Sequence, residues 1–196
     1  MKFPGAWGAL LLAAPLSLSH AFAQHHHPQS SRAPHSKLSE AAKRKPGLLL
    51  QFRLNETQEQ IAAWMGPPER TAESGALYFC WQYFLGEDLH DPTHSFCFDK
   101  RDGRLAAVSR ISEQPENPDA LLPPASTKTY FWPDAETREY SARVRRFGKL
   151  DRLLIANGVS KPGELTTSLL LVRRSALKAF VSWIADQMEP PASACP

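Results

Sequence analysis

The stretch Leu77 to Arg110, LYFCWQYFLGEDLHDPTHSFCFDKRDGRLAAVSR, constrains the fold more than any other part of the chain. Phe79, Trp81 and Tyr83 alternate with Cys80, Gln82 and Phe84. Phe96 and Phe98 likewise alternate with Ser95, Cys97 and Asp99, which is the period-2 signature of half-buried strands. Pairing Cys80 with Cys97 puts Phe79 opposite Phe98 and Trp81 opposite Phe96, so one face carries the sulfurs and the other the rings. Disulfide and aromatic pairing therefore demand one register. Asp102 and Gly103 then supply a hairpin turn into a third strand, Arg104 to Arg110, in which a simple count places Leu105, Ala107 and Ser109 on the ring face. The expectation is a three-stranded antiparallel meander stapled by Cys80 and Cys97.

Such a staple needs an oxidising compartment. Lys2, the apolar run Ala6 to Leu18 and the small-x-small site Ala21-Phe22-Ala23 before Gln24 read as a secretory signal peptide over residues 1–23. A periplasmic or secreted location follows. No later run is apolar for about 18 residues, so no transmembrane segment is expected. No cysteine stands just after the cleavage site, so a lipid anchor of the bacterial lipoprotein kind is not expected either. Cys195 is left over as a free thiol or an intermolecular link. With 23 Lys and Arg against 20 Asp and Glu, total charge gives no reason to expect a nucleic-acid partner.

Residues 24–46 form a polar leader with Pro28, Pro34 and four of the seven histidines, and are expected to be disordered, apart from a short helix over Leu38 to Lys45 capped by Ser39 and stopped by Pro46. Leu48, Leu50, Phe52 and Leu54 alternate as an extended segment entering the core. Thr57 to Gln60 has the spacing of a capping box, opening a helix whose apolar face is Ile61, Trp64 and Met65 and which Gly66, Pro67 and Pro68 end. Glu69 to Gly75 reads as a loop. Residues 112–126, with four prolines, read as a linker holding a turn of helix at Asp119 to Leu122. In residues 127–189, Tyr140, Ala142 and Val144 alternate with Ser141, Arg143 and Arg145, Gly148 turns, and Leu150 to Ala156 returns as a hairpin. Thr166 to Val172 is a further strand. Ser175 then caps a final helix with the stripe Leu177, Phe180, Val181, Ile184 and Met188, before the tail 190–196. The fold class is α+β: a short helix, a meander over 47–111, and a second β-rich half ending in a helix.

The run Asn55-Glu56-Thr57 through Ile61 to Gly66-Pro67-Pro68, then Trp81-Gln82-Tyr83, then Phe98-Asp99 with Asp102-Gly103-Arg104-Leu105, resembles the SmpA/OmlA domain of the outer-membrane assembly factor BamE. The same α/β module, in tandem, builds the β-lactamase inhibitory protein. The resemblance covers residues 50 to 111, with Asn55 where the family usually has Gly. It implies a protein-binding module of the cell envelope, without enzyme activity or cofactor.

The residues themselves point the same way: no nucleophile elbow, phosphate-cradling glycine loop or HExxH helix is present. Site-like residues gather in Gly86 to His94, where Glu87, Asp88, His90, Asp91 and His94 are candidates for contact with a partner. An alternative is a secreted enzyme inhibitor that inserts the acidic tip 87–91 into a partner's cleft. A second alternative is a metal-dependent enzyme using His90 and His94, although Pro92 between them forbids a helix displaying both on one face. Charge is unevenly divided, with 11 basic and 13 acidic residues over 24–126 against 11 and 7 over 127–196. Arg143, Arg145, Arg146, Arg173 and Arg174 are candidates for contact with anionic lipid, lipopolysaccharide or an acidic partner.

Overall fold

The computed structural model describes residues 37–43, 45–84, 93–133, 140–146 and 152–188. Eight strands form one antiparallel sheet: β1 (Arg70–Ser74), β2 (Tyr78–Phe84), β3 (Thr93–Asp99), β4 (Leu105–Glu116), β5 (Lys128–Phe131), β6 (Ser141–Arg146), β7 (Arg152–Asn157) and β8 (Thr166–Arg173). The strand order is β1-β2-β3-β4-β8-β7-β6-β5. The content is mixed, as an α+β class requires, but strands dominate and the helices are few and short. Two runs of four consecutive strands meet where β4 pairs with β8, so the halves on either side of residues 112–126 share one sheet.

Cys80 lies directly opposite Cys97, Phe79 opposite Phe98 and Trp81 opposite Phe96. Cys80 and Cys97 are joined by a disulfide with their Cα atoms 4.0 Å apart. The third strand departs from the simple count. Leu105 faces Phe98, but Ala107 faces Cys97 and Val108 faces Phe96, because the register shifts between Cys97 and Phe98 and Ala106 is the extra residue of a β-bulge. One inserted residue moves Ala107 and Ser109 to the disulfide face and brings Val108 to the ring face. β4 also continues to Glu116, so the first residues of the expected linker are strand.

Other elements pack on both faces of the sheet. Over the ring face, Leu48, Leu49, Phe52 and Leu54 join Ile61 and Met65 against Tyr83, Phe96, Phe98, Val108 and Leu171. Leu48 and Leu49 sit in a 3-10 helix, Pro46–Gln51, rather than the extended segment that the alternation suggested. Proline pre-sets the φ of a first helical turn, and the tight turn buries two successive leucines that an extended chain would point apart. Before it, α1 (Glu40–Lys43) has the amide of Ala42 donating to Ser39 Oγ at 3.3 Å. α2 (Gln58–Met65) begins in a full capping box: Thr57 Oγ1 accepts from the Gln60 amide at 3.4 Å, and Gln60 Oε1 accepts from the Thr57 amide at 2.8 Å. Gly66 ends it with φ 86° and ψ −172°, a region essentially closed to other residues.

The disulfide face is covered by α3 (Leu177–Phe180) and α4 (Ser182–Met188), which place Leu177, Val181 and Ile184 against Val144, Ile155, Leu170 and Val172. The stripe is core, but it does not ride on one helix. Val181 has φ −143° and ψ 71°, which breaks the run in two, and Ser175 lies in a 3-10 turn, Arg174–Ala176, with no side-chain cap. Two edge strands fall where no strand was expected, β1 in the loop Glu69 to Gly75 and β5 just after the linker. β1 is RTAES, a polar five-residue sequence without period-2 apolarity, which is how exposed edges are written.

Candidate functional site

Five of the six exposed large hydrophobic side chains among the described residues sit at one end of the sheet, where β2 finishes and β3 begins. Phe84 is 43% exposed and Ile111 54%, and both are register partners of Thr93, so they flank it on the disulfide face. Leu165 precedes β8, Tyr140 precedes β6 and Trp132 follows β5, all at this same end. Trp132 packs on Trp183 of α4 with ring centroids 5.3 Å apart, and its amide donates to the Tyr140 carbonyl at 2.8 Å. Leu77, in the β1–β2 turn, is the sixth and lies at the opposite end. α3 and α4 cover the disulfide face from β5 as far as Tyr78 of β2, whose ring lies 4.9 Å from that of Phe180, and leave Phe84, Thr93, Ser95, Ser109 and Ile111 at least partly exposed. Those five residues carry no charge, and the absence of charge is a property of the centre of a protein interface.

Of the expected partner-contact residues, Glu87, Asp88, His90 and Asp91 lie outside the described residues, as do Cys195 and residues 1–36. His94 is described and is fully buried, so its ring is not on a surface that a partner touches. It projects to the ring face between Tyr83 and Arg110, which are its register partners on β2 and β4. Burial, with a smaller contribution from the Arg110 charge, pushes its pKa down to about 3, so it is neutral at physiological pH. Tyr83 is also buried, which raises its pKa, and its hydroxyl donates to the Gly66 carbonyl at 3.0 Å. Arg110 forms a bidentate pair with Glu116, Nη2 lying 2.5 Å from Oε1 and Nε 3.2 Å from both carboxylate oxygens. The sequence did not show this pair, because Arg110 read as the end of the third strand while Glu116 fell in what read as a linker. The described residues bring together no group of three or more His, Cys, Asp or Glu side chains with metal-ligand geometry.

The five arginines expected to form an anionic-partner patch are distributed rather than gathered. Arg143 is 2% exposed, and its Nη2 lies 2.5 Å from Asp119 Oδ1, whose other oxygen accepts from the Gly163 amide at 2.9 Å. That pairing is the main reason the Asp119 carboxyl titrates below its ordinary range. Arg145 donates to the Leu121 carbonyl at 3.0 Å. Both project to the ring face, where residues 117–122 lie against them and Leu122 is fully buried. The expected alternation put Arg143 and Arg145 on a solvated face, but here the ring face of β6 is covered by residues 117–122. Arg146 is exposed on the other face. Arg173 donates to the Leu54 carbonyl and lies 3.6 Å from Asp102, fastening β8 to the segment before α2, and Arg174 starts the 3-10 turn.

A surface cavity of about 290 Å³ lies between α3 and α4, lined by Arg174, Leu177, Lys178, Asp186 and Met188. Lys178 and Asp186 are 3.5 Å apart and satisfy each other there. Among the described residues no helix is long and apolar enough to cross a membrane. A cross-strand disulfide in a chain with that property fits an exported protein. No family model, curated protein or solved structure matches the chain.

Proposed function

We propose that the chain is a non-catalytic interaction module of the cell envelope, which binds a protein partner through the end of the sheet where β2 meets β3. The observation that carries this reading is the concentration of exposed apolar and aromatic side chains at that end, with Phe84 and Ile111 on an uncharged, uncovered part of the disulfide face. Scattered exposed hydrophobics are ordinary, whereas five at one end of a single sheet are a pattern that a partner explains. The capping box at Thr57, the Trp81-Gln82-Tyr83 strand and the Phe98-Asp99 strand support kinship with the SmpA/OmlA domain, whose members bind envelope proteins. The signal-like sequence 1–23 supports the compartment.

Affinity capture from envelope extract tests the reading with three baits: the wild-type chain, a Phe84→Ser/Ile111→Ser variant, and a Glu87→Ala/Asp88→Ala/Asp91→Ala variant. The expected result is one envelope protein enriched by the wild type and by the acidic-tip variant, and reduced at least about tenfold with the apolar-end variant, equivalent to a loss of about 1.4 kcal/mol. Capture of a single hydrolase that only the acidic-tip variant loses would support the inhibitor reading instead. Undiminished capture by the apolar-end variant would sink the proposal.

A further inference from the structure

One transverse row of the ring face carries three buried, ionisable side chains. His94, Arg110, Leu169, Ala156 and Arg143 are successive register partners on β3, β4, β8, β7 and β6. His94 is 0% exposed, Arg110 3% and Arg143 2%. Both ring nitrogens of His94, Nη1 of Arg110, and Nε and Nη1 of Arg143 have no hydrogen-bond partner among the described residues. Folded proteins satisfy nearly all such groups, and where protein atoms do not, a bound water or ion does. The chemistry of the row decides between those two. Glu116 neutralises Arg110 and Asp119 neutralises Arg143, so neither guanidinium has charge left to hold an anion. What remains is a set of unpaired N–H donors, most of them on charge-compensated guanidiniums, and one imidazole acceptor, which suits water.

We propose that this row is a binding site for ordered internal water, with one molecule bridging Arg110 and His94. Glu116 engages the Nε and Nη2 edge of the guanidinium, which leaves Nη1 for the water. The bridging water accepts from Nη1–H and donates to the unprotonated ring nitrogen of His94. The remaining ring N–H and the Arg143 donors are met by further waters of the same row. Water of this kind fills the hydrogen-bonding capacity that the sheet itself cannot supply, and it explains how two arginines and a histidine are tolerated among leucines. The inference stands independently of the proposed partner.

A crystal structure of the wild-type chain at about 1.5 Å or better is expected to show a fully occupied water at about 2.7–3.2 Å from both Arg110 Nη1 and a His94 ring nitrogen. Crystals soaked in sodium bromide are expected to show no anomalous peak there. A bromide peak at that position would overturn the choice of water over an anion. Direct protein partners for Arg110 Nη1 and both His94 nitrogens, with no solvent peak between them, would overturn the site itself. In His94→Leu the bridging water is expected to be lost; its persistence at full occupancy would show that Arg110 holds it alone and overturn the bridge.

Discussion

Replacing Cys80 and Cys97 together by alanine is expected to destabilise the fold by about 3 kcal/mol. The crosslink spans a sequence separation of 17 residues. For a loop of that size, the chain-entropy relation gives a loss of about 10 cal/mol/K in the unfolded state, hence about 3 kcal/mol at 25 °C. Both cysteines are 6% exposed and pack beside Ala106 and Ala107, so truncating the sulfurs adds a small packing loss of the same sign. Urea unfolding followed by tryptophan fluorescence measures the effect. With a slope of about 2 kcal/mol/M, the midpoint is expected to fall by about 1.5 M with the slope little changed. Melting should drop by about 6–12 °C for a domain of this size. Wild-type protein reduced with dithiothreitol serves as a second arm and should shift alike. A midpoint shift under about 0.5 M in both arms would refute the reasoning, and a nonreduced digest that links Cys80 to Cys195 would remove its premise.

Phe96 is fully buried beneath Phe52 and Tyr83, with ring centroids at 4.7 and 5.5 Å, so Phe96→Ala is expected to cost about 3–5 kcal/mol in the same urea assay. Gly66→Ala forces a β-carbon into φ 86° and to within 3.3 Å of Lys37 Cε, for an expected cost of about 1–3 kcal/mol; an unchanged midpoint would show that α2 can end another way. His94 has its pKa depressed from 6.5 to about 3 by burial, so its neutral form stabilises the fold above pH 6.5 and that contribution is lost as pH falls toward 3. The wild-type chain should therefore lose up to about 1.4 kcal/mol per pH unit below about 6 from this group, and the slope should flatten between pH 6 and 4 in His94→Leu. Identical pH profiles for the two proteins would contradict a buried neutral histidine.

The register of β2 on β3 was legible because two unrelated requirements, sulfur opposite sulfur and ring opposite ring, select the same pairing. The capping box at Thr57 and the stop at Gly66 were legible for a different reason, since both are local and carry their hydrogen-bond partners within four residues. What the pattern concealed depends on distant parts of the chain. Ala106 has no property that marks it as the extra residue of a bulge, so the facing of Ala107 and Val108 came out reversed. Ser141, Ala142, Arg143 and Val144 are all buried, although their sequence alternates as if one side were wet. The reason is that residues 117–122 return across the ring face, and nothing near Arg143 announces that Asp119, 24 residues earlier, is its partner. The same blindness applied to the candidate site. A tip sequence rich in acids and histidines draws attention to itself, whereas Phe84 and Ile111 look like ordinary strand residues until the helices that cover the rest of their face have been placed.

Site-specific photocrosslinking in the producing cell tests the central claim most directly. A benzophenone side chain at position 84 or 111 is placed at the end of the sheet assigned to the partner, and the same group at position 77 is a control of similar exposure at the opposite end. The account predicts a crosslinked adduct of one discrete mass from positions 84 and 111 and none from position 77. Equal adducts from all three positions, or an adduct from position 77 alone, would contradict it.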